Sequence, residues 1–161
     1  MSEDRSEPQV LHGAIPGRPF AWPRPRFRVV RGKLVSFQEP KAVAQKAELA
    51  QMFMLAARAC GWKITKAPIS ASMTFVFSGR SRMHHKKRPD VDNLAKLVLD
   101  AGNGVLYEDD SQVCDLHIQK VYGSPLDGKA VGTFFNFMEI TEEVTWTFDA
   151  PFLPSTSVRV T

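Results

Sequence analysis

Residues 86–113 read KKRPDVDNLAKLVLDAGNGVLYEDDSQV, and this stretch predicts one helix with an acidic group on either side of it. The helix is expected from about Val91 to Ala101, and Gly102 and Gly104 end it. Its core-facing side is formed by apolar residues that recur at three- and four-residue steps: Leu94, Leu97, Val98 and Ala101.

The first acidic group lies at the start of this helix. Pro89 favours an extended conformation for Arg88, so the chain enters the helix through Asp90 and Asp92. Asp92 or Asn93 is the expected N-cap residue, because a short polar side chain there accepts a hydrogen bond from a free backbone N–H. The helix dipole also stabilises negative charge at this end.

The second acidic group, Glu108 to Asp110, follows one short turn after the helix, and we expect the chain to bring it back beside the helix start. Three carboxylates that meet without arginine partners repel one another and require a cation. Carboxylate ligands select hard divalent ions, so Asp90, Asp92 and Asp110 are interpreted as ligands of Mg²⁺, with Mn²⁺ as a substitute. A calcium-binding EF-hand loop is excluded, since alanine occupies both the glycine and the glutamate position of that pattern.

Basic residues surround the predicted metal site. Lys96 lies one helical turn after Asp92 and is expected to orient or neutralise the scissile phosphate, while the metal activates water for attack on a phosphodiester. Asp100 follows at the same spacing, and for this residue we favour an exposed ion pair. Contacts with neighbouring phosphates are expected from the residues just before the site: Lys86, Lys87 and Arg88.

The charge distribution favours a nucleic-acid substrate. Residues 9–89 contain 16 lysines and arginines against two acids, whereas residues 90–161 contain four basic and 12 acidic residues. The net charge of +4 therefore hides a basic segment that suits a polyanion and an acidic segment that suits cations. An extended strand would turn alternate arginines of the basic segment to one side, where we expect contacts with DNA: Arg24, Arg26 and Arg28.

The rest of the sequence predicts an α+β (mixed α/β) domain, with two main helices packed on a small β-sheet. A helix is expected from Pro40 to Cys60, ended by Gly61. Strands are expected at residues 10–15, 27–30, 68–78, 112–122 and 133–141. The core face of the helix is predicted from three- and four-residue steps between Val43, Ala47, Ala50, Met54 and Ala57.

Composition excludes several protein classes. No apolar run approaches the roughly 20 residues that span a bilayer, and the polar, acidic N-terminus lacks the features of a signal peptide. We therefore expect a cytoplasmic protein with no membrane partner, whose two cysteines stay reduced. The cysteines and histidines lack the spacing of a zinc site, and the absence of a glycine-rich phosphate loop argues against a nucleotide cofactor.

The motif RPDVDNLAKLVLDAGNGVLYEDDSQV resembles the signature of RusA-like crossover junction endodeoxyribonucleases, the phage-type Holliday junction resolvases. The shared pattern is a basic residue, Asp-x-Asp-Asn, a helical lysine four residues after the second aspartate, and a downstream Asp-Asp-x-Gln-Val. Residues 15–28 are similar to the family's N-terminal strand and basic loop. The motif positions here are Arg88, Asp90, Asp92, Asn93, Lys96, Asp109, Asp110, Gln112 and Val113.

The resemblance implies a homodimer with two active sites that cuts four-way or branched DNA with Mg²⁺, in recombination and repair. It implies Asp90, Asp92 and Asp110 as catalytic metal ligands, and Lys96 falls on the position of the family's functional lysine.

The resemblance also predicts the domain limits. Residues 9–141 are expected to form the nuclease domain, between a disordered N-terminus at 1–8 and a C-terminal strand or tail at 142–161. Two residues depart from the family pattern: Gly102, which is expected to fray the helix end, and Trp22 in the N-terminal loop.

Two alternatives remain open from the sequence. A non-catalytic DNA-binding protein would keep the fold and use the acids structurally, but the intact set of carboxylates with Lys96 argues against it. A metal-dependent phosphohydrolase of small molecules is disfavoured by the excess of arginine and the lack of a glycine-rich phosphate loop.

Overall fold

The computed structural model describes residues 7–21, 26–37, 39–79, 84–123 and 130–141. The predictions for Trp22, Arg24, the first six residues and residues 142–161 lie outside this part of the chain.

The described ranges contain two α-helices and six strands, which confirms the α+β prediction. The strands are β1 (Val10–Pro16), β2 (Arg26–Val30), β3 (Lys33–Phe37), β4 (Ile69–Ser78), β5 (Val113–Gly123) and β6 (Gly132–Glu139). The helices are α1 (Pro40–Cys60) and α2 (Val91–Gly102), and a 3₁₀ turn covers Asp110–Gln112. β3 was not predicted. No helix in the described ranges is long and apolar enough to cross a membrane.

Four strands form one sheet in the order β1-β6-β4-β5. The β1–β6 and β6–β4 pairs are antiparallel, whereas β4 and β5 are parallel. Parallel neighbours require a crossover connection, and α2 supplies it here. Asp90 and Asp110 therefore lie on the two connections of a single β4-α2-β5 unit.

Both helices contribute to one core against the same side of the sheet. Phe53 of α1 is fully buried at the centre, and its ring meets Phe135 and Phe137 of β6 edge-on at centroid distances of 4.9 and 5.8 Å. Such edge-to-face pairs add stability beyond the burial of apolar area.

The core face of α1 differs from the predicted one. Of the predicted residues Ala57 is buried, but Val43 and Met54 are about half exposed. Ala42 and Phe53, which were not predicted, are fully buried. The prediction gave each alanine the same weight as a large apolar residue. The large Phe53 side chain instead sets which side of the helix faces the sheet, because its burial removes the most apolar surface from water.

The predicted core face of α2 is confirmed, since all four of its apolar residues are buried. The predicted end of α2 is confirmed to within one residue, since Gly102 is the last residue of the helix, and it is helical rather than frayed. The Tyr107 ring folds back over the helix end, and its hydroxyl donates a hydrogen bond of 2.8 Å to the Leu99 carbonyl. A Cβ atom on Gly102 would lie 2.5 Å from the Tyr107 oxygen, so glycine makes room for this contact.

β2 and β3 form a separate two-stranded hairpin. Phe27, Val29 and Leu34 lie on one face of it and are more than 60% exposed. Arg28 and Lys33 lie on the opposite face. One face of the hairpin therefore carries strongly exposed apolar residues, whereas the other mixes Arg28 and Lys33 with Val30 and Val35.

Gly102→Ala is expected to destabilise the protein by about 1 kcal/mol or more, because the cost of overpacking against buried Tyr107 exceeds the gain in helix propensity. Thermal or urea unfolding measures the change. In a Tyr107→Leu background the same substitution is expected to cost less, because the ring atoms that lie 2.5 to 3.1 Å from the new Cβ are gone. Equal costs in both backgrounds would contradict this account of Gly102.

Candidate active site

The first part of the candidate site is the N-terminal turn of α2. The helix begins at Val91, so its N-cap residue is Asp90 and the prediction of Asp92 or Asn93 as N-cap is wrong. The Asp90 carboxylate makes no capping hydrogen bond. Asp90 and Asp92 are both exposed, and neither forms an ion pair with a residue in the described ranges. Both carboxylates are thus available to a ligand at the positive end of the helix dipole.

The polar face of α2 carries the second part. Lys96 Nζ lies 3.5 Å from the Asp100 carboxylate, as the four-residue spacing predicted. The pair is not fully exposed, because the Asp100 side chain is only 15% accessible while that of Lys96 is 56% accessible. Asp100 therefore holds a lysine whose charged end remains in solvent.

The third part is the acidic turn, Glu108 to Gln112, which is tightly anchored. Gln112 donates hydrogen bonds of 2.9 and 3.1 Å to the carbonyls of Thr65 and Ala67, in the segment that precedes β4. Gln112 also accepts from the Asp109 backbone, and Asp109 accepts from the Ser111 backbone, which completes a capping box. These bonds fix the turn at the start of β5.

The three acids of this turn have different surroundings. Asp109 caps the turn, and Glu108 pairs with Lys66 at 3.3 Å on the surface. Asp110 is half-buried and takes no part in the capping box. Burial, followed by the negative charges of Asp110 and Asp100, raises the pKa of the Tyr107 hydroxyl well above its ordinary value. Asp110 and Asp100 therefore act on the same buried ring at the end of α2.

The carboxylates of the candidate site have the right chemistry for a metal ion but are not grouped as a complete set of ligands. Exposed carboxylates without cationic partners have the donor chemistry that Mg²⁺ prefers. In the described part of the chain, however, no three histidine, cysteine, aspartate or glutamate side chains are grouped closely enough to hold a metal. Asp90, Asp92 and Asp110 consequently do not form a closed set of ligands as they stand.

The segment that leads into α2 is held against β5. The His85 backbone donates to the Lys120 carbonyl at 2.9 Å, and the buried His85 ring stacks on Phe77 at 4.2 Å and contacts Tyr122. Burial, followed by the nearby Lys120 ammonium, lowers the pKa of the His85 imidazole.

Lys120 also bonds this segment through its side chain. Its Nζ donates to the carbonyls of Lys87 and Pro89 at 2.7 and 2.5 Å. The sequence prediction missed Lys120. Its position in the strand could have identified it. Alternation along β5 places Lys120 on the same side as the core-facing Ile118 and Tyr122, where a lysine is unusual.

The predicted DNA-contacting residues lie on two surfaces. Lys86, Lys87 and Arg88 are exposed directly before α2. Arg26 and Arg28 both belong to β2, and the Arg28 side chain is exposed.

Asp109→Ala is expected to lower the melting temperature at neutral pH, because it removes the cap of the acidic turn. Hydrogen bonds from the Ser111 hydroxyl and backbone lower the pKa of the Asp109 carboxyl below its ordinary value. Its contribution to stability is therefore full above the unfolded-state pKa and is lost as the pH falls through the lower, folded-state pKa. Thermal melts across acid pH should show the two proteins converging. Glu108→Ala, which removes a surface ion pair, is the matched control and should change little.

Comparison with known proteins identifies the family of this chain. The family described as Endodeoxyribonuclease RusA matches residues 16–126, which include β4, α2, the acidic turn and β5. The chain is also similar to the uncharacterized protein YqaN of Bacillus subtilis (strain 168), with 57% identity over 35 residues. That match covers 22% of this chain and spans a quarter of the length of the relative. Because the family match extends over most of the chain, the protein belongs to the RusA endodeoxyribonuclease family.

Proposed function

We propose that this protein is a Mg²⁺-dependent, structure-selective DNA endonuclease that resolves Holliday junctions or other branched DNA by phosphodiester hydrolysis, in recombination and repair in the cytoplasm. Membership of the RusA family supports the reaction class. The observation that carries the proposal is the position of Asp90 and Asp92, two exposed and unpaired carboxylates directly after an exposed basic run.

Asp90, Asp92 and Asp110 are the proposed metal ligands, and a bound Mg²⁺ would supply an activated water and stabilise charge on the phosphate. Asp110 is proposed as the ligand from the acidic turn because the other two acids have structural contacts. Asp109 caps the turn, and Glu108 forms a surface ion pair with Lys66.

The basic side chains near the site have two proposed roles. Lys86, Lys87 and Arg88 hold the DNA backbone beside the scissile bond through contacts with phosphate oxygens. Lys96 stabilises charge on the scissile phosphate, and its pairing with Asp100 keeps its ammonium group along the polar face of α2.

Asp92→Asn is expected to reduce cleavage of a synthetic four-way junction in Mg²⁺ by about 100-fold or more, the scale of loss when a charge-stabilising group is removed. Gel analysis of end-labelled strands measures the cleavage, and band shifts without metal should show unchanged junction binding.

Asp115→Asn is the matched control, because Asp115 is exposed on β5 and bonds only the Ser70 hydroxyl among the described contacts. It should cut like the wild type. Equal cutting by the Asp92 and Asp115 variants would overturn the site. Junction binding without cutting by the wild type, in Mg²⁺ and Mn²⁺, would instead support the non-catalytic alternative.

A homodimer is also proposed, on the basis of the family resemblance and the symmetry of the substrate. A four-way junction has approximate two-fold symmetry, so two matched sites on a symmetric dimer allow paired cuts. Sedimentation velocity should give about twice the chain mass of 18.0 kDa at the concentrations used for cleavage. A single monomer boundary at those concentrations would contradict the dimer.

A further inference from the structure

Lys120 has an unusual setting for a lysine. It is half-buried, and it pairs in the β4–β5 register with Phe75, a core residue on the helix-covered side of the sheet. A buried or half-buried ammonium needs compensating partners. Lys120 forms no ion pair in the described ranges, and carbonyl oxygens take the place of a carboxylate.

Both carbonyls belong to the segment that leads into Asp90. The Nζ group bonds the carbonyls of Lys87 and Pro89, and the second of these is in the peptide bond to Asp90 itself. On the other side, the Lys120 carbonyl accepts from the His85 backbone. One residue of β5 therefore holds this segment at three points over five residues. Hydrogen bonds from a charged donor are roughly twice as strong as neutral ones.

We infer that Lys120 is a positioning residue of the nuclease site, which fixes the entry segment 85–90 on β5 and thereby sets the location of the Asp90 carboxylate. The inference rests on the proposed function. Because no carboxylate in the described part of the chain neutralises Lys120, its charge also adds to that of the exposed basic run and favours an approaching phosphate.

The test compares Lys120→Met, which keeps the apolar stem and removes the donors, with Lys120→Arg, which keeps a cationic donor. Lys63→Met, the loss of an exposed lysine before β4, is the matched control. On the four-way junction, Lys120→Met is expected to lower kcat by about 10- to 100-fold, the range seen when supporting partners of a ligand are removed. KM should stay near the wild-type value, and Lys120→Arg should recover most of kcat.

A second readout does not depend on cleavage of DNA. The entry segment contains exposed Lys86 and Lys87, so trypsin reports how often it leaves β5. Native-state digestion with mass spectrometry should show faster cutting at these residues in Lys120→Met, while the Lys63 control digests like the wild type. If Lys120→Met is unfolded by circular dichroism, Lys120→Gln replaces it in both assays.

The outcomes separate the two proposals. Wild-type kcat and wild-type digestion in Lys120→Met would overturn the positioning role even if the protein is a nuclease. If the wild type cuts no junction, the proposed function fails, while the digestion rates still decide whether Lys120 holds the segment. Lys120→Met could also lower kcat and the melting temperature in parallel, with no recovery in Lys120→Arg. That result would overturn the positioning role, because it describes a residue needed only for folding.

Discussion

The parallel pairing of β4 with β5 is the constraint on which the site depends. It forces the chain to cross from one end of the sheet to the other through α2, and the two connections of that crossover hold the acidic residues. The first connection is tied down by His85 and Lys120, and the second by Gln112. Each acidic group is thus fixed to the sheet by bonds that its own carboxylates do not make.

The elements with strong periodicity were predictable from the sequence. The apolar face of α2 and the extent of α1 follow from spacing and helix-ending glycines, and the structure has them as expected. The rotation of α1 was not predictable from spacing, because several alanines obscured the large side chain at Phe53 that determines the packing. β3, with the sequence KLVSF, was not predicted because the adjacent Leu34 and Val35 interrupt the alternation of polar and apolar residues.

The candidate site was predictable in its residue types and less so in its geometry. Local patterns placed Asp90 and Asp92 at the start of α2 and Lys96 beside Asp100, because charge and helical spacing are short-range properties. Contacts between residues distant in sequence were not accessible. The Lys120 side chain bonds carbonyls that are 33 and 31 residues away, and only the folded sheet brings them together. The Tyr107 ring lies over Gly102, which is close in sequence, but this contact depends on a turn that periodicity does not predict. Gly102 was expected to weaken the end of α2, but it makes room for the Tyr107 ring, which packs over the helix end.

Asp90 and Asp110 lie on the two connections of one crossover, and this placement has a consequence for how the site forms during folding. Asp90 lies before α2 and Asp110 after it, so the connections that carry them take their final places only when β5 docks beside β4, which follows formation of the intervening helix. A chain without β5 would lack Lys120 and, with it, the bonds that hold the segment before Asp90. For a protein proposed to cut DNA, docking of β5 is therefore the folding step that positions the first acidic group.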